Sequence, residues 1–220
     1  MISLLLLLLA QTVPATLDPR DEIVVVGRRA EQDLAACLAR RCLPAEEIEM
    51  SLQASVEQFA GGRYDYAQRT LQSAIRRNRQ HAGELPGPVS SLYATLATVA
   101  EHTGDTRLWR RSAWNNVKVL RKYLGDAKSA TLVQELAFGD TMVGLEMTSE
   151  AAATYRTVQR KAMETGHPAL AAGAAFRRAW LASFLNRDSE ADRLAAEAVA
   201  IAGPNNRSMV LLRDILRSRI

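Results

Sequence analysis

Two cysteines, Cys37 and Cys42, stand five residues apart around Leu-Ala-Arg-Arg. In an unbroken helix that spacing holds the sulfurs apart, because a disulfide wants Cα atoms about 4.4–6.8 Å from one another. Pro44 biases Leu43 away from helix, so the helix is expected to end here and let the two sulfurs bond. A loop this short would stabilise the fold by about 2 kcal/mol. The spacing is not CxxC and no second ligand pair accompanies it, so redox catalysis and metal binding are not expected. The three histidines, His81, His102 and His167, do not fall in a metal-ligand pattern such as HExxH. His102 is expected at a helix end, where positive charge is favoured, and His167 reads as a turn residue before Pro168. Gly61-Gly62 lacks the context of a phosphate loop, and no GxSxG elbow occurs. Glu46-Glu47 lies at an expected helix start, where the dipole accounts for it. These residues predict no catalysis, no metal and no cofactor.

Binding chemistry has more support. Arg107, Arg110, Arg111, Lys118, Arg121 and Lys122 crowd one segment, whose apolar stripe is Leu108, Ala113, Val117, Leu120 and Leu124. That is an amphipathic helix with a basic face. Such a face is either simply solvated or a site for an acidic peptide or anionic envelope material. Trp109, Trp114, Trp180, Tyr64, Tyr66, Tyr93 and Tyr155 are candidate core or anchor residues. The chain has 220 residues, a formal charge of +4 and 48% apolar residues. The basic excess is too diffuse to suggest a nucleic-acid site. Aromatics are only 5%, and Ala, Leu and Val fill the apolar positions, which suits closely packed helices.

Residues 1–15 read as a secretory signal, with an unbroken leucine run from Leu4 to Leu9 followed by Val13-Pro14-Ala15. The run is about half of the roughly 20 residues a membrane span needs. The mature protein is therefore expected to be periplasmic or secreted and not membrane-spanning. Residues 16–29 form a leader. Within it Ile23, Val24, Val25 and Val26 are four β-branched residues in a row, a poor helix and a good strand. The segment resembles the TonB-box-like stretches near the mature amino terminus of many exported Gram-negative proteins, which implies contact with a TonB-like partner by strand addition.

From residue 30 to 220 the pattern is helical. Helices are expected at 31–41, 45–60, 64–80, 90–103, 106–124, 129–145, 149–165, 168–185, 190–202 and 208–219, with 84–88 a loop. The last is amphipathic, with Met209, Leu212, Ile215 and Leu216 on one side. Ala67, Trp109, Ala151 and Ala191 recur at steps of 42, 42 and 40 residues, and Leu71, Ala113, Tyr155 and Ala195 follow four positions later. Twelve residues before the first set come Ser55, Ala97, Gly139 and Ala179, all small. Small residues across a hairpin let two helices approach closely.

The stretch from Gly62 through Tyr64, Ala67 and Leu71 to Ala74 resembles the second helix of a tetratricopeptide repeat. Ala151-Tyr155-Val158 and Ala191-Ala195-Ala198 repeat the pattern. Trp109 and Asn116 depart from it, since the family has small residues there, and the period exceeds the family's usual 34. The resemblance implies an all-α, right-handed solenoid of about four helical hairpins with a C-terminal capping helix. It further implies a concave surface, lined by the first helix of each pair, that holds a protein or peptide. The candidate lining residues are Gln58, Tyr93, Glu101, Gln134, Glu135, Arg177 and Arg178. An exported adaptor or scaffold is the leading expectation. An envelope-enzyme accessory or a small-ligand-binding helical domain is the alternative.

Overall fold

The computed structural model describes residues 26–203 and 205–218. Among them the chain is helical: α1 (Val26–Ala39), α2 (Pro44–Ala60), α3 (Tyr64–Asn78), a 3-10 turn (Arg79–Gly83), α4 (Pro86–Thr103), α5 (Thr106–Tyr123), α6 (Ser129–Gly144), α7 (Thr148–Glu164), α8 (Pro168–Phe184), α9 (Asp188–Ala202) and α10 (Arg207–Arg217). The expected signal and most of the leader, including Ile23, Val24 and Val25, lie outside the described residues. Val26 opens α1 instead of closing a strand. β propensity depends on context, and α1 docks on α2 by burying Ala30 and Cys37.

One turn repeats through the molecule. Gly62, Gly104, Glu146 and Asn186 adopt left-handed backbone, with φ of 72°, 74°, 61° and 56°. The amide of the residue after each reaches five residues back. Arg63 N–H donates to Gln58 O, Asp105 to Ala100, Met147 to Met142 and Arg187 to Ala182, at 2.8–2.9 Å. This closure satisfies carbonyls that the helix end leaves without a partner. It joins α2 to α3, α4 to α5, α6 to α7 and α8 to α9, giving the four expected hairpins.

Proline corrects two helix starts. The segment 84–88 reads as a loop, yet α4 begins at Pro86. Pro suits the first helical turn, where its missing N–H has no partner to lose. Pro44 likewise opens α2. Ahead of Pro44 the chain reverses at Arg41 (φ 54°), and Cys37 and Cys42 are disulfide-bonded with Cα atoms 5.1 Å apart. The helix expected to run to residue 80 ends at Asn78, whose buried amide donates to Ala74 O and Glu47 Oε1.

The hairpins stack through three apolar clusters. Ile48, Leu71, Ile75, Leu92, Leu96 and Leu108 belong to the first, across α2 to α5. Leu132, Leu136, Met142, Tyr155, Val158 and Leu181 hold α6, α7 and α8 together. Leu194 and Leu216 join α9 to α10. The cap docks more thinly than its sequence stripe implies: Leu216 is buried, while Leu212 and Ile215 are exposed. First helices of successive hairpins touch in two of the three steps, α2 with α4 and α6 with α8, but not extensively α4 with α6, whereas no two second helices make an extensive contact among the described residues. The first helices therefore line the inner side of the stack and the second helices the outer side. The molecule is an all-α solenoid of helical hairpins.

The small first-helix positions are where close approach is enforced. Ser55, Ala97, Gly139 and Ala179 are all buried. A methyl group on Gly139 would overlap the Tyr155 ring. Gly139→Ala should therefore lower stability by about 1–3 kcal/mol in thermal unfolding. Gly173→Ala, with only the Arg177 guanidinium within 4 Å of the added carbon, should raise it by up to about 1 kcal/mol through helix propensity. Glu146→Gly should also stabilise, by about 1 kcal/mol, because it removes a side chain from left-handed backbone.

Candidate functional site

Each first helix keeps one narrow stripe turned to solvent. On α2 it is Glu49, Gln53, Val56 and Ala60, and on α4 Ser91, Thr95, Thr98 and His102. On α6 it is Val133, Ala137, Asp140 and Gly144, the last with the Trp109 ring against it, and on α8 the half-buried Gly173, Arg177 and Trp180 and the exposed Phe184. The spacing within each is the i, i+4, i+7, i+11 line of one helix face. From helix to helix the stripe advances by 42, 42 and 40 residues, the same steps as the repeat of packing positions. Many of these side chains are small. Large apolar ones stand out at Val56, Val133 and Phe184, which are 57%, 44% and 64% exposed. Trp180 and Phe184 stack with centroids 5.9 Å apart, forming an aromatic platform at one end. His102 lies in the other half of the face, its ring 4.4 Å from that of Tyr64 and 5.0 Å from that of Phe59.

Between Trp180 and the α6 stripe lies a polar cluster. Asp140 accepts from the Tyr155 hydroxyl at 2.6 Å and from Arg177 Nε at 2.8 Å. It ties α6, α7 and α8 together. Burial, followed by the Asp140 carboxylate, holds the Tyr155 hydroxyl protonated far above its ordinary range.

Of the residues expected to line the surface, Arg177 is on the stripe and Glu101 is exposed beside it. The others are displaced. Gln58 is buried, donating to Glu31 and accepting from Thr70. Tyr93 is half-buried against the first core cluster, and that burial raises its pKa. Gln134 accepts from Asn116 at 2.6 Å. Arg178 turns toward α7, donating to Gln159 at 2.6 Å, and burial lowers its pKa. Each is one or two positions off the stripe, and one residue rotates a side chain by about 100° around a helix of 3.6 residues per turn. Trp180 is among the aromatic anchor candidates of the sequence, whereas Asp140 and Phe184 are not among its site residues. The 42-residue register, extended from the packing positions to the solvent positions, is the signal that finds them.

Glu135 is the largest correction. It is 1% exposed and takes Arg121 Nε at 2.7 Å and Lys161 Nζ at 3.4 Å. Its Oε2 has no hydrogen-bond partner among the described residues. Arg121, assigned to the basic face, thus faces inward, its guanidinium also 5.2 Å above the Trp114 ring. The other five cations of that face, Arg107, Arg110, Arg111, Lys118 and Lys122, are exposed. Asn116 lies at the same seam between α5 and α6, accepting from Ser90 and donating to Gln134. Its polarity is satisfied, which is why it can replace the family's small residue. Trp109, the other departure, rests on Gly144, where a methyl group would overlap its ring.

Hairpins of this build, stacked in register, define a tetratricopeptide-repeat-like helical solenoid. No protein-family model and no curated protein matches the chain. Solved structures match at the level of fold. A Podosopora anserina putative kinesin light chain with nearly identical TPR-like repeats superposes with a TM-score of 0.68, over 82% of this chain and 87% of that one, at 15% identity. A single-substitution variant of that protein gives 0.68 over the same shares of both chains, at 14% identity. BtubC (BKLC) from P. vanneervenii gives 0.65, over 88% of this chain and 80% of that one, at 12% identity. Among the described residues no helix is long and apolar enough to cross a membrane.

Glu135→Gln should cost about 3 kcal/mol in urea unfolding, because it leaves Arg121 and Lys161 without their shared carboxylate. Glu49→Gln, on the solvent stripe, should stay within about 0.5 kcal/mol of the parent.

Proposed function

We propose that this chain is an exported scaffold, periplasmic or secreted, that holds a protein partner along the inner face of its solenoid without catalysing a reaction. One observation carries the reading. The solvent stripes of four successive first helices repeat in the register of the fold, so the inner face is a regular surface and not a set of accidental exposures. Much of its floor is made of small side chains, so a partner's backbone can approach it closely. Val56, Val133 and the Trp180–Phe184 platform supply apolar anchor points of the kind that dominate protein interfaces. Tetratricopeptide-like folds are typically interaction scaffolds, which supports a protein partner for this surface. Export rests on the leucine run at residues 4–9 and agrees with the Cys37–Cys42 disulfide, since such bonds persist in oxidising compartments.

The test is affinity capture from cell-envelope extract, with the parent compared against Val133→Glu/Phe184→Glu. Both positions are exposed, so the fold should survive. The expected outcome is a reproducibly enriched protein whose recovery falls by about tenfold or more in the variant. Equal recovery would move the binding surface elsewhere, and no enriched protein would turn attention to small ligands. Fractionation of cells expressing the full chain should place it outside the cytoplasm, with the amino terminus removed near residue 15.

A further inference from the structure

Charge is sorted between the two helices in each of the first three hairpins, while the fourth reverses the pattern, with Arg177 and Arg178 and no acid on α8 and four acids against Arg193 on α9. The first helices α2, α4 and α6 carry seven Asp or Glu and no Lys or Arg. The second helices α3, α5 and α7 carry twelve Lys or Arg against three Asp or Glu. In these three hairpins the cations thus belong to the outer side. They are densest on α5, which has six and no acid at all.

Five of those six, Arg107, Arg110, Arg111, Lys118 and Lys122, are exposed, and none is ion-paired among the described residues. Positions 107, 111, 118 and 122 fall on one line of the helix, which spans about 22 Å at 1.5 Å per residue. The acids that could neutralise them have other partners. Asp105 caps the α5 amino terminus through Leu108 N–H at 2.9 Å, Asp126 pairs with Lys161, and Glu135 pairs with Arg121 and Lys161.

The other second helices put acids in the first turn: Asp65 in α3, Glu150 in α7, Asp188 and Glu190 in α9. That complements the positive end of the helix dipole. In α5 the acid at this end is the cap Asp105, the first turn itself has Arg107, and Arg121 and Lys122 stand in the last turn. Tyr123 stands beside the line of charge, with Lys122 Nζ 5.0 Å from its ring. Tyr and Trp are the side chains that settle at the headgroup level of a bilayer.

From this we infer that the outer face centred on α5 docks on an anionic phospholipid surface, leaving the inner face free. The apolar stripe of α5 is committed to the core, through Leu108, Val117 and Leu120. The contact is therefore peripheral and electrostatic, without insertion. An outward-curving face with charge on three successive helices offers no groove to enclose a peptide, but it meets a layer of headgroups that can rearrange beneath it. Juxtaposed Lys and Arg are attracted to such a layer additively, within a Debye length.

The experiment is co-sedimentation of the full chain with phosphatidylglycerol–phosphatidylcholine vesicles and with pure phosphatidylcholine vesicles, at low and raised salt. Residues 4–9 could adhere to either lipid, so the difference between the two vesicles reports the charge. The expected result is binding to the anionic vesicles in excess of the neutral ones, reversed by salt. Arg111→Gln/Lys118→Gln should weaken it roughly twenty-five-fold, at about fivefold per cation. Both sites are exposed and Gln keeps helix propensity, so unchanged circular dichroism should confirm the fold. Equal binding to both vesicles would overturn the inference, as would a variant that binds like the parent. Binding to soluble polyglutamate without binding to anionic vesicles would overturn it in favour of an acidic protein.

Discussion

The four hairpins are phased from four left-handed turn residues, and the same closure recurs at Arg41 before α2 and at Gly166 between α7 and α8. Gly62, Gly104, Glu146 and Asn186 each end a first helix in the same closure and start the second helix from the same direction. Seven residues before each lies the small buried residue of the first helix, and nine residues after each lies its counterpart on the second. Two and six residues before each lie solvent positions of the inner face. A hairpin alone cannot bury its apolar side, so stacking in this register is what creates a core. The same phasing therefore sets packing and surface together. Glycine fills the turn twice. Glu and Asn hold it in the third and fourth hairpins, which shows that the stacked hairpins, and not glycine's freedom, impose the conformation.

The repeat is interrupted at one seam. Between α5 and α6 the apolar clusters stop, and beside the Trp114–Phe138 ring contact the seam is made by Ser90, Asn116 and Gln134 and by Arg121, Glu135 and Lys161. A buried carboxylate between two cations is costly to desolvate and gains little net stability. Its value lies in direction: hydrogen bonds between polar groups tolerate far less sliding than apolar contacts. The pairing of Trp109 with Gly144 acts alike, since a large ring and an absent side chain fit in one register only. The seam thus fixes how the second hairpin meets the third, at the place where the tetratricopeptide pattern is least regular.

The two sides of the solenoid have opposite characters. The inner side is rich in small residues, partly apolar and mildly acidic, with an aromatic platform at its carboxyl end. The outer side is cationic over the first three hairpins, most of all on α5, and acidic at α9. Charges on opposite sides of a helical layer are too far apart to neutralise one another through solvent at physiological salt, where screening acts over about 8 Å. Each side is therefore free to meet a partner of its own, and occupation of one does not block the other.

Helix count, hairpin pairing, repeat steps and the disulfide are legible in the amino-acid sequence, because each depends on local signals: turn residues, Pro44 and Pro168 at helix starts, and the period of apolar positions. The tetratricopeptide likeness rests on the Gly62–Ala74 pattern and its repeats at Ala151-Tyr155-Val158 and Ala191-Ala195-Ala198. The proline-bearing segment 86–88 was misread because the same residue ends one helix and opens another. Which polar side chains face solvent was decided only by tertiary structure. Gln58, Gln134 and Glu135 carry the same composition signal as Gln53 or Glu101, yet they are buried or half-buried because partners from other helices, such as Thr70, Asn116, Arg121 and Lys161, meet them there. A sequence gives a residue's angle on its own helix. Whether that angle points into a seam or into solvent depends on where the neighbouring helices lie, and that is a property of the stack.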